Sequence, residues 1–296
     1  MRLRTVLQSA RPSFLPLTLV CVLLGIAVVV HTGEPVPVWL AAWITLGALA
    51  AHVSVNALNE YRDFETGLDL RTRRTPFSGG SGALPADPAA HRAVGGLAVG
   101  SLGLTAAVGL TVLGRHGPAI LPLGLAGILL ILTYTRGLNR RPWLCLFAPG
   151  AGFGLLMVPA TQFALTGDYR TEAVLLSTIP FLLVNNLLLL NQYPDVEADA
   201  SVGRRHVPIA YGLRMANRVY GAGWLAAGAL IGIYSSFGVL PTAGLLALVP
   251  WAAGGMALRG AVHHGFAIGA HPAYLAANVA ATLLTPLVLA GALAVG

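Results

Sequence analysis

Seven of the eleven acidic residues of this 296-residue chain fall in two short segments. The first runs Asn56-Ala57-Leu58-Asn59-Glu60-Tyr61-Arg62-Asp63-Phe64-Glu65-Thr66-Gly67-Leu68-Asp69, and the second Asn191-Gln192-Tyr193-Pro194-Asp195-Val196-Glu197-Ala198-Asp199. Asn59 and Asp63 are four residues apart, as are Asp195 and Asp199, so on a helix each pair projects from one face. Like charges at that spacing repel, and Asp195 with Asp199 makes chemical sense around a cation. Oxygen ligands with no His or Cys among them suit Mg²⁺, which binds through one or two carboxylates together with waters and substrate phosphates. Arg62, Arg71, Arg73, Arg74, Arg204 and Arg205 stand in or just after the same segments. Carboxylates for a metal and guanidinium groups for phosphate oxygens compose a diphosphate site. A salt-bridge network anchoring helix ends would also account for either segment alone. Two segments with matched spacing favour the metal site.

The elements that must position these residues are set by composition. The chain is 56% hydrophobic and 10% charged, well under half the charge of an ordinary soluble domain. Uncharged windows long enough to span a bilayer, roughly 20 residues each, start near residues 12, 38, 93, 118, 142, 173, 214, 239 and 273. The expectation is an all-α polytopic membrane protein, a bundle of about nine transmembrane helices forming a single domain over residues 1–296. The uncharged stretch from Val219 to Leu258 is divided at Ser235-Ser236-Phe237-Gly238. The first window is too long for a signal-peptide core and is expected to be retained as a helix. Cys21 and Cys145 lie apart in apolar stretches and read as packing residues, not as a disulfide or a metal site.

The net charge of +7 rests on 18 basic residues, all of them Arg. With the N-terminus inside, 16 of those 18 fall on the inner side and only Arg115 and Arg170 outside, the asymmetry of a cell-membrane protein with a cytoplasmic N-terminus. Nine spans then place the C-terminus outside. This arrangement, short basic loops between apolar runs, excludes nucleic acid as the partner and makes the bilayer the surrounding medium. Both acidic segments fall at the cytoplasmic ends of the second and sixth helices, where unpaired carboxylates beside hydrocarbon are costly and mark functional sites. A transporter would need charges near the middle of a span, and none of the windows has one.

The pattern Asn59-x-x-x-Asp63 followed by Gly67-x-Asp69 resembles the first motif of the UbiA superfamily of intramembrane prenyltransferases, and its ending is similar to the menaquinone branch, the 1,4-dihydroxy-2-naphthoate polyprenyltransferases. Asp195-x-x-x-Asp199 followed by Gly203-Arg204-Arg205 is similar to the second motif. The resemblance implies Mg²⁺-dependent ionisation of a prenyl diphosphate and transfer of the prenyl group to an aromatic acceptor. It implies a metal set of Asn59, Asp63, Asp69, Asp195 and Asp199, with Asp63, Asp195 and Asp199 central to catalysis. The substrate set it implies is Asn56, Asn59, Arg62, Arg71, Arg73, Tyr134, Arg140, Arg141, Asn191, Arg204 and Arg205. Three positions depart from the pattern: Pro194 precedes Asp195 where an Arg is usual, His206 stands in place of a Thr, and no Gly-x-Gly-Glu opens the fifth helix. A terpene cyclase on the same scaffold would keep both Asp motifs and is the alternative.

Weaker signals surround the motifs. The Gly-rich stretch Thr75–Gly82 lacks the Lys of a P-loop and a preceding strand, and reads as a cap over the pocket or a phosphate contact. His263, His264 and His271 share one inner loop and read as headgroup-facing residues. Glu60, Glu65 and Glu197 lie off the Asp faces and read as supporting or solvated residues.

Overall fold

The computed structural model describes residues 2–72 and 74–296, and no described residue is in a strand. A short helix, α1 (Arg2–Ser9), precedes α2 (Pro16–His31), and α3 (Val38–Glu65) carries the first acidic segment. Next come α4 (His91–His116), α5 (Leu121–Tyr134), α6 (Pro142–Thr166) and α7 (Thr171–Asn191). The second acidic segment lies on α8 (Val196–Ser201), followed by α9 (Val207–Ser236), α10 (Ala253–His264) and α11 (Pro272–Val295).

All nine expected windows fall on helical segments. Among the described residues six segments are long and apolar enough to cross a membrane, and α2 joined to the residues before it, at a 50° bend, makes a seventh. The other two positions are held by Pro118–Tyr134, which is shorter, and by α9, which has non-helical backbone at Gly212 and carries Arg214 and Arg218 just after it. The chain is a multi-pass membrane protein. In lipid each backbone polar group must be satisfied inside its own segment, which is why Leu- and Ala-rich runs that also contain Gly and Pro still form helices.

The bundle is tight on one side and hollow on the other. Cys21, Leu24 and Val28 of α2 interlock with Leu176, Ile179 and Leu183 of α7, Ala227 and Ile231 of α9, and Leu289 and Leu293 of α11. Buried hydrogen bonds tie the same helices: Asn186 donates to the Tyr220 carbonyl at 2.9 Å, and the Tyr220 hydroxyl donates to Asn278 at 2.8 Å. Such bonds and close packing, not water exclusion, hold helices together in a bilayer. On the hollow side, α6 widens into a π-helical stretch at Ala151–Leu156. Pro149 removes one helical donor, and the Gly150 N–H turns to Asn185 Oδ1 of α7 at 2.9 Å. The widened turn leaves Phe153 on the wall of a chamber between α3, α4, α5 and α6.

Candidate active site

The first acidic segment occupies the end of α3, with Asn56, Asn59 and Asp63 on one face of a continuous helix. The helix stops at Glu65, Gly67 takes a left-handed conformation (φ 73°), and a 3₁₀ turn over Leu68–Leu70 folds Asp69 inward. Asp63 and Asp69 are buried, at 6% and 5% exposure. The second segment is built otherwise. α7 ends at Asn191, Pro194 follows, and Asp195 stands at the N-cap of α8, so the two Asp residues do not extend the spanning helix as the spacing suggested. They still lie one turn apart: the Asp199 N–H donates to the Asp195 carbonyl at 2.8 Å. Gly203 (φ 81°) then turns the chain back and delivers Arg204.

Arg204 joins the two segments. One guanidinium nitrogen donates to Asp199 Oδ1 at 3.0 Å and the other to Asp63 Oδ1. His206 closes the other side of Asp199, its Nε2 lying 3.1 Å from Oδ2. The Gly-rich loop spans both segments from above: Gly79 N–H donates to Asp195 Oδ2 at 3.1 Å, and Ser81 donates to Glu60 through N–H (2.8 Å) and hydroxyl (2.6 Å). Glu60 is fully buried and paired with Arg11, whose Nε donates at 2.7 Å. It therefore anchors the loop, whereas Glu65 and Glu197 are exposed at the rim.

A carboxyl group buried beside other carboxylates resists ionisation. Burial, with Glu60 and Asp63 nearby, pushes Asp69 up to about 7. Burial and Asp199 push Asp195 up to about 6. Among the described residues four buried oxygens here have no hydrogen-bond partner: Asp69 Oδ2, Asp195 Oδ1, Asn191 Oδ1 and Asn139 Oδ1. Orphaned hard oxygen donors fit Mg²⁺. Among the described residues no three His, Cys, Asp or Glu side chains converge on one ion position.

The remaining expected residues divide into two groups. Tyr134 lies on the chamber wall, close to Cys145, Arg204 and the Asp63 and Asp199 carboxylates. Asn56 also lines the chamber while its amide donates to the Ala10 carbonyl at 3.0 Å. Arg62 pairs with Glu65 at 2.8 Å, and Arg71 reaches Ser201 at 3.4 Å across the rim. Arg140, Arg141 and Arg205 are exposed, and Arg73 lies outside the described residues. Sequence reasoning missed Thr135, which donates to Asn59 Oδ1 at 3.3 Å, and Asn139, whose carbonyl accepts from the Arg205 N–H at 2.9 Å. His264 and His271 stack at 3.6 Å with His263 edge-on to His264, a ring cluster outside the site.

Below the carboxylates opens a chamber of about 530 Å³. Its mouth is Asn56, Asn59 and Tyr134, and its walls descend through Val108, Ile128, Ile131, Phe153 and Met157 to Val112, Leu123 and Ala164. The wall on α3 runs from Ile44 to Asn59, roughly 22 Å at the α-helical rise. A polar, anion-matching mouth above a long apolar shaft suits a molecule with a charged head and a hydrocarbon tail.

A profile of the UbiA prenyltransferase family matches residues 18–264. The 1,4-dihydroxy-2-naphthoate octaprenyltransferase of Bacillus subtilis (strain 168) is 27% identical over 208 residues, 69% of this chain and 65% of that protein. The chloroplastic chlorophyll synthase of Avena sativa is 29% identical over 137 residues, 45% of this chain and 34% of the synthase. The chain thus spans less than two thirds of the length of either curated relative. Among solved structures, a UbiA homolog from Archaeoglobus fulgidus bound to DMAPP and Mg²⁺ superposes with a TM-score of 0.65 at 15% identity, over 95% of this chain and 99% of that one. A digeranylgeranylglyceryl phosphate synthase superposes with a TM-score of 0.66 at 15% identity, over 98% of each chain. These two likenesses establish a shared fold.

Proposed function

From its membership of the UbiA prenyltransferase family, to which the chain belongs, we propose that it transfers a prenyl group from a prenyl diphosphate to an aromatic acceptor of the 1,4-dihydroxy-2-naphthoate type. The observation that carries this reading is Arg204, which draws Asp63 and Asp199 together at the mouth of an apolar chamber. The acceptor class is supported by the likeness to the 1,4-dihydroxy-2-naphthoate octaprenyltransferase of Bacillus subtilis.

Asn59, Asp63 and Asp69 on one wall and Asp195 and Asp199 on the other, with Asn191 beside them, present the oxygens that would hold Mg²⁺ with the diphosphate, one or two carboxylates to each ion. When bound, the ion neutralises charge on the departing phosphate oxygens. Arg204 is positioned to trade a carboxylate for a phosphate oxygen, keeping a fixed positive charge where negative charge develops. The C–O bond breaks with its electron pair leaving on the diphosphate, and the allylic cation is left facing the chamber. Tyr134 and Phe153 are the aromatic rings lining the chamber that would meet that cation, and the aliphatic walls exclude the water that would quench it. An electron-rich carbon of the acceptor supplies the electron pair for the new C–C bond, and the ring regains aromaticity when that carbon loses a proton to solvent, or its carboxylate as CO₂, the bonding pair returning to the ring. The exposed rim carries Arg62, Arg71, Arg140, Arg141 and Arg205, and this Arg-rich end is assigned to the cytoplasmic face of the cell membrane, with the N-terminus on the same side.

The test is to incubate membranes with labelled prenyl diphosphates, with and without dihydroxynaphthoate, and identify the products. A prenylated naphthoquinol precursor formed only with acceptor is the expected result. Cyclic hydrocarbon formed from the diphosphate alone would assign the fold to a cyclase instead.

A further inference from the structure

His52 lies on α3 one turn below Asn56, and with Asn59 and Asp63 it completes a stripe at i, i+4, i+7 and i+11 along one helical face. It sits within a span, on the wall of the chamber, and is only 6% exposed. An ionisable side chain inside a membrane span is retained for a reason of chemistry more often than of packing.

Its two ring nitrogens differ. Nδ1 is 2.8 Å from the hydroxyl of Thr18 on α2, a fully buried residue whose hydroxyl has no other hydrogen bond. A buried hydroxyl with one available acceptor donates to it, and that places the ring proton on Nε2. Nε2 has no protein partner and is not among the enclosed orphan atoms, so it opens on the chamber. Phe153 fixes the ring from the side, edge-on with centroids 4.7 Å apart. An oriented N–H donor therefore faces an otherwise aliphatic cavity, where an unmade hydrogen bond is costly.

We propose that His52 is an acceptor-binding residue: its Nε2–H holds a hydroxyl, carbonyl or carboxylate oxygen of the aromatic acceptor, with the acceptor ring lying beside Phe153 below Asn59. A prenyl tail brings no polar atom into the chamber, so the acceptor is the substrate that can satisfy this donor. The height fits as well. His52 lies seven residues below Asn59, roughly 10 Å along the helix, which leaves room for a one- or two-ring acceptor between the donor and the diphosphate mouth. Thr18 acts through His52, fixing which nitrogen carries the proton.

The inference rests on the transferase reading, and steady-state kinetics on the full-length protein in detergent separate the two. The substrates are a prenyl diphosphate and dihydroxynaphthoate, each varied in turn. His52→Leu is expected to raise the acceptor KM roughly tenfold, the loss of one hydrogen bond, with the prenyl diphosphate KM unchanged. His52→Gln, which keeps an N–H near the Nε2 position, is expected to recover most of the affinity, and His52→Asn, which places its amide near Nδ1, is not. Thr18→Val gives a smaller rise of the same kind and serves if His52→Leu does not fold. An unchanged acceptor KM in His52→Leu overturns the role of His52 and leaves the transferase reading standing. Equal rises for both substrates, or His52→Gln no better than His52→Asn, reduce His52 to a packing residue and overturn it too. Wild-type protein that forms product without any acceptor overturns the transferase reading and this inference together.

Discussion

The first acidic segment rides on the last turns of α3, whereas the second is cut away from α7 by Pro194 and rebuilt on the six-residue α8. In the first, helical geometry alone holds Asn56, Asn59 and Asp63 on one face, and its backbone hydrogen bonds continue without a break into the membrane span. In the second, position depends on contacts from elsewhere: Gly79 on Asp195, His206 on Asp199, and the Asn139 carbonyl on the Arg205 N–H. A rigid wall thus faces an assembled one, and Arg204 bridges them. One side is kept in register by its own helix and the other by its neighbours. A six-residue helix is too short to be stable by itself, so the second wall owes its shape to the loop that covers it.

The largest effect should come from removing one carboxylate on either wall. Asp63→Ala and Asp195→Ala are each expected to lower turnover by two to three orders of magnitude, about 3–4 kcal/mol of lost charge stabilisation in the transition state, with the protein still folded in membranes. Activity should vanish in EDTA and return with Mg²⁺. Near-normal turnover in Asp195→Ala would mean that the assembled wall is a mere support, and the comparison would collapse. Full activity in EDTA would remove the metal from the reading altogether.

A second, smaller effect probes the loop that shapes the assembled wall. Gly80 has φ 72°, and a Cβ there would stand 2.9 Å from Asp69 Oδ1. Gly33, in the turn after α2, has φ 75° with nothing within 4 Å of a Cβ. Gly80→Ala and Gly33→Ala carry the same backbone strain, about 2 kcal/mol at the middle of the range for such positions, and only one of them meets the site. Gly80→Ala is expected to lower kcat/KM roughly thirtyfold, and Gly33→Ala to lower thermal stability without touching the kinetics. Equal kinetic losses in both would trace the effect to general destabilisation.

The rigid wall was legible in the sequence and the assembled one only in part. Asn59 and Asp63 sit on a long apolar helix, where a spacing of four translates directly into a shared face. Asp195 and Asp199 have the same spacing, yet Pro194 ends the span before them, and their meeting with Asp63 depends on a turn at Gly203 that spacing does not encode. Thr135 and Asn139 escaped because a loop between helices has no periodicity to read. Glu60 was expected off the Asp faces, yet it lies close to Asp69, and its partners Arg11 and Ser81 are distant in sequence and only the folded loop brings them in. His52 could have been found: it continues the Asn56, Asn59, Asp63 stripe downward at helical spacing. The nine windows were readable because hydrocarbon imposes length and composition on any span, while the bend before α2 and the kink at Gly212 are local features that composition does not report.

The smallest effect distinguishes the walls by proton competition. Asp69, after the rigid wall, holds its proton up to about 7, and Asp195, on the assembled wall, up to about 6. Both values lie above the ordinary carboxylate range, so each group is protonated in the metal-free protein at pH values where a solvated Asp would be charged. A cation can use these oxygens only after the proton leaves, so Mg²⁺ affinity should rise with pH and level off once both carboxyls are ionised. Between pH 6 and pH 7.5 the expected gain is roughly tenfold, most of it from the group that titrates higher. The measurement is the Mg²⁺ concentration giving half-maximal turnover at saturating substrates, taken in steps from pH 5.5 to pH 8. Asp69→Asn should flatten the upper part of that curve, above about pH 6, and leave the lower part sloping. Asp195→Asn should roughly halve the slope of the lower part, where Asp69 still competes with its proton, and leave the upper part unchanged. An affinity that does not change over the whole interval would show that neither carboxyl is displaced from its proton by the metal, and it would confine the ion to Asp63 and Asp199.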